Sequence, residues 1–385
     1  MLLREFIKNK IKQLLTEERI PFQLDLPNDI IEIQRVFRNH GYKLYVVGGA
    51  VRDAILGKEP KDFDLATDAV PDKVEQMMSH AGYRTLPTGK AFGVINVFTS
   101  TNEYEIATFR EDLSGGRRPD AVKFTNIESD VKRRDLTINA LFYDIDAQEV
   151  VDLVGGVNDL KNGIVRTVGK PEDRFSEDPL RIMRAIRFAG RFGSGLDPAV
   201  DTSLQQNASL EGISGERIRD EFLKGIKSSK STKHFLELLN KYNLFEWIFK
   251  GLKVSKDFTD EKDPILVISY LLKDNDPSVI NRQLNALKYT IEEAKAVTFL
   301  INLLKLSPQT AVPLKRMQKN AGVNDNQIAM FGKRFQIDEK LLNAFINFKL
   351  TVGGEELMKK GIPEGPELGK AINAAEYNNF LKLLA

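Results

Sequence analysis

The 385-residue chain contains no cysteine, which excludes disulfides and thiolate-held metals. Histidine is scarce: His40, His80 and His234 are all there is, and none is followed by aspartate, so a His-Asp phosphohydrolase motif is missing. No apolar run approaches a membrane span, so no membrane partner is expected. The opening MLLREFIKNKIKQLL is basic and amphipathic but has no secretory apolar region or cleavage site. It reads as a helical extension over residues 1–25, and the expected compartment is the cytoplasm. Neither sign of charge dominates, since the net charge is only +2. Its distribution is less even. From Gly225 onward there are 24 Lys and Arg against 18 Asp and Glu, so the rear is basic and the front acidic. That division suits an acidic, metal-binding front and a rear that grips a polyanion.

The front half alternates short apolar segments with helical ones. KLYVVGG (43–49) predicts a buried strand ending in glycines, and DFDLAT (62–67) a second. Residues 71–80 predict a helix with proline at its start. GVINVF (93–98) and YEIATF (104–109) predict a hairpin, as do LFYDI (141–145) and EVVDL (149–153). The polar stretch 109–124 reads as a mobile loop. After Gly169 only helical apolar spacing remains. The expected class is therefore α+β, a mixed-sheet head over 26–169 followed by all-helical segments, 170–255 and 256–385.

Four clusters carry chemistry. On a strand, residues two apart share a face, so Asp62 and Asp64 present paired carboxylates while Phe63 turns to the core. Such a pair is tolerated when a divalent cation sits between, and Mg²⁺ takes one or two carboxylates plus phosphate oxygens. Two such ions support nucleotidyl transfer. Glu105 shares its strand parity with Ala107 and Phe109; it is a third carboxylate for the metal or the partner of an arginine, and both readings stand. Gly48-Gly49 ends a strand and opens a helix, where backbone N–H groups approach phosphate, with Arg52 as a bidentate donor and Asp53 as a structural acceptor. Arg133-Arg134-Asp135 with Asn139 can bind a triphosphate and a ribose together.

In the fourth cluster Asp178 and Pro179 start a helix on which Arg181, Arg184 and Arg187 recur every third residue. Cytosine and adenine both present an amino donor beside a ring-nitrogen acceptor. A carboxylate (Asp178) and a guanidinium (Arg181) match that pair, whereas uracil and guanine present the reverse.

The order GGAVRD, DFDLAT, EIATFR, RRDLTINAL, DLVGGVNDL, EDPLRIMRAIRFA, ERIRDEF resembles the class II tRNA nucleotidyltransferase and bacterial poly(A) polymerase family, within the polymerase-beta-like nucleotidyltransferases. The resemblance covers residues 26–225. It implies that Asp62 and Asp64 are catalytic metal ligands. Gly49 and Arg52 would meet the triphosphate, Arg134 and Asp135 the ribose, and Asp178 and Arg181 the base, with Arg184 and Arg187 as further nucleotide contacts. Asp152, Gly156 and Asp159 match a motif coupling head and neck, and Glu216, Arg217 and Glu221 a helix-stabilising one. Residues 110–120 match a loop used in switching from C to A addition.

The implied substrates are CTP and ATP with Mg²⁺, and the implied partner is tRNA, bound along its acceptor arm and elbow by a helical neck, body and tail. The segment 305–334, with six basic residues and one acid, is a candidate elbow contact. Poly(A) polymerases share most of these motifs but carry a Gly-Arg-Arg-Phe segment where this chain has TGKAFGVINVF (88–98), so CCA addition is the favoured reading. A-only addition and an RNA-binding protein on a polymerase scaffold are the alternatives; intact Asp62/Asp64 and Asp178/Arg181 pairs argue against the last.

Overall fold

The computed structural model describes residues 18–113 and 122–385. The chain divides into two compact units, Met1–Gly212 and Ile213–Ala385. The elements of the first are β1 (Glu18–Pro21), α1 (Asn28–Asn39), β2 (Leu44–Val47), α2 (Gly49–Ile55), β3 (Asp64–Thr67), α3 (Pro71–His80), β4 (Arg84–Gly89), β5 (Val94–Phe98), β6 (Glu103–Thr108), β7 (Arg110–Asp112) and β8 (Val122–Phe124). There follow α4 (Ile127–Lys132), β9 (Leu141–Asp144), β10 (Glu149–Asp152), α5 (Gly156–Lys161), α6 (Pro171–Glu177), α7 (Leu180–Phe192) and α8 (Pro198–Gln206).

Eight strands form one mixed sheet in the order β1-β10-β9-β2-β3-β6-β5-β4. Only β3 and β6 run parallel; every other neighbouring pair is antiparallel. Central β2, LYVV, is buried along its whole length, as a strand covered on both faces must be. Both expected hairpins are present, with Phe98 opposite Glu103 and Asp144 opposite Glu149. One sheet face carries a cluster of Tyr45, Val47, Ala66, Phe109, Phe142 and neighbours, its rings 5.5–6.4 Å apart. By register and parity, Asp64 and Glu105 stand at the end of that same face.

The structure corrects several expectations. Residues Glu18–Pro21 pair with β10 as an edge strand rather than continuing a helix to residue 25, and Pro21 lies at the strand's end on the sheet edge, where a missing N–H is tolerated. Residues 1–17 lie outside the described residues, as do 114–121 of the expected loop. The ends of that loop are ordered: β7 and β8 form a two-stranded stem, and Phe109 is buried. The compact front unit runs on to Gly212 and so takes in α6 to α8, which follow Gly169.

The second unit is helical throughout, with eleven helices between Gly215 and Leu384. Residues 251–263 are non-helical, near the expected boundary, yet they lie inside this unit. Its core gathers Leu266, Tyr270, Phe299, Phe331, Phe345 and Phe380 among others. The basic segment 305–334 is partly committed internally: Lys315 caps the Phe345 and Ile346 carbonyls, and Arg334 pairs with Asp257 at 2.7 Å.

Candidate active site

β2 stops where Gly48 turns with φ +67°, a conformation costly for any side chain. A Cβ there would sit 3.6 Å from the Asn139 carbonyl oxygen and 3.8 Å from Arg134 Nη1, so the turn is pressed against the RRDLTIN segment. With β2 finished, residues 62 and 63 have no strand to pair with, and β3 begins only at Asp64. The expected strand geometry thus holds for Asp64 and not for Asp62, which precedes it in an irregular turn. Phe63, expected in the core, is half-buried and lines a cleft with both aspartates.

Neither Asp62 nor Asp64 makes a hydrogen bond or salt bridge among the described residues. Asp64 meets water, yet the surrounding protein raises its carboxyl above the ordinary aspartate value; Asp62 adds to the shift and Arg134 opposes it. Two adjacent carboxylates without a partner cation fit a divalent metal. Glu105 lies one residue before the Leu65/Ile106 register pair, level with Asp64, and is exposed. Exposure removes the need for a compensating partner that its strand parity suggested. Among the described residues no three Asp, Glu, His or Cys side chains gather as a metal-binding group.

The arginines are arranged differently. Arg52 is only 6% exposed. Its Nε donates to Asp53 at 2.9 Å, its Nη1 to the Asn139 side chain, and its guanidinium lies over Phe188 at 4.9 Å. It is therefore not the open bidentate donor that the sequence suggested; Asp53, which also accepts from Arg191 at 2.9 Å, is the structural acceptor expected. Burial works against the Arg52 charge, and Asp53 offsets it.

Arg134 donates through Nε and Nη2 to Asp130 at 3.2 and 3.1 Å, and covers the Phe142 ring at 4.6 Å. Asp135 accepts from Leu136 N–H at 2.7 Å, from Asn139 Nδ2 at 3.3 Å, and from Arg184 Nε. Burial disfavours the Asp135 carboxylate, but Arg184 and these donors hold it below the usual range. Asn139 thus links Asp135 to Arg52.

Asp178 and Pro179 stand between α6 and α7, where the sequence predicts a helix start. Asp178 is extended (φ −146°), and its Oδ1 accepts the Leu180 N–H at 3.1 Å, capping α7. Arg181 sends Nη1 to Glu177 and to the Arg174 carbonyl (3.2 Å), and Nη2 to the Arg133 carbonyl (2.9 Å). Among the described residues three of its five N–H donors are engaged, leaving Nε–H and one Nη2–H. Arg187 is buried against Phe188 at 4.4 Å, so the three arginines are no solvated stripe.

The DLVGGVNDL segment serves the same place. Asp152 accepts four backbone N–H groups, of Val154 to Val157, at 2.8–3.0 Å. A Cβ on Gly156 would fall 2.2 Å from the Thr137 carbonyl oxygen, so only glycine lets α5 approach the RRDLTIN backbone. Asp159 accepts from Thr137 Oγ1 at 2.7 Å and from Arg166. In the second unit Glu216, Arg217 and Glu221 lie on the helix Gly215–Ser228, with Glu221 buried.

Sequence reasoning missed Asp130, Arg174 and Glu177. Asp130 holds both Arg133 (2.8 Å) and Arg134; Glu177 bridges Arg174 and Arg181. Their i,i+3 and i,i+4 spacing was the available signal.

Fold and site define a polymerase-type nucleotidyltransferase head: residues 44–166 match the poly A polymerase head domain, and residues 195–255 the probable RNA and SrmB-binding site of polymerase A. The CCA-adding enzyme of Lactobacillus helveticus is 32% identical over 373 residues, spanning 90% of this chain and 92% of that protein. Poly(A) polymerase I of Salmonella typhi is 31% identical over 303 residues, 74% of this chain and 63% of that one. The crystal structure of the Bacillus stearothermophilus CCA-adding enzyme in complex with CTP superposes with a TM-score of 0.68 at 25% identity, covering 92% of this chain and 96% of that one. The chain belongs to the family of class II CCA-adding enzymes and bacterial poly(A) polymerases. No helix among the described residues is long and apolar enough to cross a membrane.

Proposed function

We propose that this protein adds CCA to the 3′ end of tRNA from CTP and ATP, without a nucleic-acid template, releasing pyrophosphate at each step. The observation that carries the reading is the docking of Arg181, next to Asp178 in the chain, onto the Arg133 carbonyl of the RRDLTIN segment, whose Arg134 guanidinium favours the Asp64 charge. The near end-to-end match to CCA-adding enzymes supports CCA addition over poly(A) synthesis, since the poly(A) polymerase match leaves over a third of that protein uncovered.

In the transfer, the RNA 3′-oxygen bonds to the α-phosphorus of the nucleotide. The bond from that phosphorus to the β-phosphate's bridging oxygen breaks, pyrophosphate departs, and the hydroxyl proton passes to water. Asp62 and Asp64 would hold Mg²⁺, which supplies charge neutralisation on the triphosphate and a more acidic 3′-hydroxyl. The Gly48-Gly49 turn and Arg134 receive the phosphates, and Asp135 with Asn139 the ribose. Asp178 accepts the amino group of C or A, and a remaining N–H of Arg181 donates to the adjacent ring nitrogen. The helical unit, 213–385, supplies RNA-binding surface, and the cytoplasm is the site of action.

Primer extension tests this directly. With Mg²⁺, tRNA lacking CCA should gain three nucleotides from CTP and ATP and then stop. A long adenylate tail would replace CCA addition with poly(A) synthesis, and extension only of CC-ended tRNA would make it an A-adding enzyme. Arg181→Ala should raise UTP and GTP incorporation relative to CTP by roughly 10- to 100-fold; an equal loss for all four nucleotides would remove Arg181 from base selection.

A further inference from the structure

One face of α7 holds two carboxylates of the head. Arg184, Phe188 and Arg191 stand at i, i+4 and i+7, the spacing of neighbours on one helical face. Arg184 Nε donates to Asp135, and Arg191 Nη2 donates to Asp53 at 2.9 Å. The Phe188 ring, between them in the chain, carries the Arg52 guanidinium at 4.9 Å. A relay of side chains joins the two carboxylates. Asp53 Oδ1 accepts from Arg52 Nε at 2.9 Å as well as from Arg191. Arg52 Nη1 donates to Asn139 Oδ1, and Asn139 Nδ2 donates to Asp135 at 3.3 Å. Relay and helix together close a ring.

The ring sets the polarity of Asn139. Its amide lies between a guanidinium and a carboxylate, and only one orientation satisfies both, oxygen toward Arg52 and nitrogen toward Asp135. The flipped amide would turn its NH₂ to a cation and its oxygen to an anion. The second Nδ2 hydrogen has no partner among the described residues. Asn139 therefore offers a donor beside Asp135, which as a carboxylate only accepts. A sugar hydroxyl donates and accepts, so it can satisfy both; a deoxy carbon satisfies neither. Arg52 keeps Asn139 in this state, and Asp53 in turn keeps Arg52. The Asp53 side chain bonds to Arg52 and Arg191 and to no other described residue. Burial opposes its charge, but Arg52 and Arg191 hold its carboxyl below the ordinary aspartate value. Arg191, reaching across from α7, is thus what fixes Asp53 from outside its own short helix, α2. Arg52 Nη2 makes no hydrogen bond among the described residues and stands beside the phosphate turn, 3.6 Å from where a Cβ on Gly49 would lie.

We infer that Arg191 is a positioning residue for ribose selection: acting through Asp53 and Arg52, it fixes the Asn139 amide beside Asp135. The inference rests on the nucleotidyl-transfer reading above, in which Asp135 and Asn139 meet the sugar. It is tested on the full chain by equilibrium binding of CTP and of 2′-deoxy-CTP, with Mg²⁺ and without RNA. Wild type should prefer CTP, and Arg191→Ala should narrow that preference about tenfold, the worth of one hydrogen bond to a charged group. A residue that only supports the fold would weaken both ligands alike. A wild type that binds both equally, or a variant that keeps the wild-type preference, overturns the role. Because binding needs no transfer, a preference that narrows in a protein that extends no tRNA supports Arg191 and sinks CCA addition alone. A second measurement repeats Arg191→Ala in an Arg52→Lys background. Lysine lacks the planar fork that bridges Asp53 and Asn139, so there the effect of Arg191→Ala should shrink to within about twofold. A full tenfold effect in that background means that Arg191 acts by another route, and overturns the relay. Should thermal unfolding show that Arg191→Ala does not fold, Arg191→Gln takes its place in both measurements, with the same expectations.

Discussion

On the one hand, Arg52, Arg134, Arg181 and Arg184 each bond to a carboxylate, an amide or a carbonyl of the protein. On the other, Asp62, Asp64, Lys58 and Lys61 have no such partner among the described residues. In the proposed function the first arrangement is a recognition surface set before its ligand arrives: each guanidinium is aimed by its neighbours, and little ordering remains for binding to impose. The second keeps like charges together, and in the proposed function their neutralisation waits for the metal. Damage to the two sides should therefore read out differently, as lost folding stability on the arginine side and as lost chemistry on the carboxylate side.

The largest effect is expected from Asp64→Asn. Removing a metal ligand forfeits several kcal/mol of transition-state stabilisation, so extension of tRNA should fall by at least about 1,000-fold. Thermal midpoint should hold or rise, because the variant removes a charge that burial disfavours and Asp62 repels. A midpoint several degrees lower would mean that Asp64 is part of the folded framework after all. Asp135→Ala should behave in the opposite way. It strands Arg184, Asn139 Nδ2 and the Leu136 N–H at a buried site, a class of lesion that costs about 3–5 kcal/mol. Urea unfolding should show that loss without any nucleotide present; an unchanged midpoint would break the contrast between the two sides.

That contrast also sorts what was legible in the sequence. The glycine turn and the two hairpins were readable because each depends on local periodicity: β2, β5, β6, β9 and β10 lie where alternation and turn residues put them. The state of the arginines was not readable. Whether Arg52 faces ligand or lies over Phe188 depends on how α7 packs against α2, which no local pattern specifies. The same holds for Asp62, which loses its strand because β2 ends at Gly48. The edge strand Glu18–Pro21 was missed because ERIP has no alternation of its own and takes its register from β10. Asp130 was overlooked because an aspartate ahead of two arginines on a helix is commonly a surface pair; here it is 1% exposed.

Asp130 gives the smallest effect and the finest test of the contrast. Burial opposes its charge, but Arg134 and Arg133 hold its carboxyl below the ordinary aspartate value near 3.8. A folded-state value below the unfolded one gives stability that is fully present above the unfolded value and is lost as pH falls through the folded one. Asp130→Asn keeps the shape and removes that titration. The stability gap between wild type and variant, measured by urea unfolding, should be constant from neutral pH down to about pH 5 and then narrow below about pH 4. Its slope should not exceed about 1.4 kcal/mol per pH unit, the limit for one proton. The corresponding comparison at Asp64, whose carboxyl is raised, should differ in sign. Wild type is penalised there for carrying the charge, so Asp64→Asn should match or exceed it near neutrality, and wild type should recover relative to the variant as pH falls through the raised folded value. If both variants instead lose stability at neutral pH and converge with wild type in acid, the aspartates on the two sides play the same structural role, and the unpaired carboxylates of the cleft are not held in reserve for a cation.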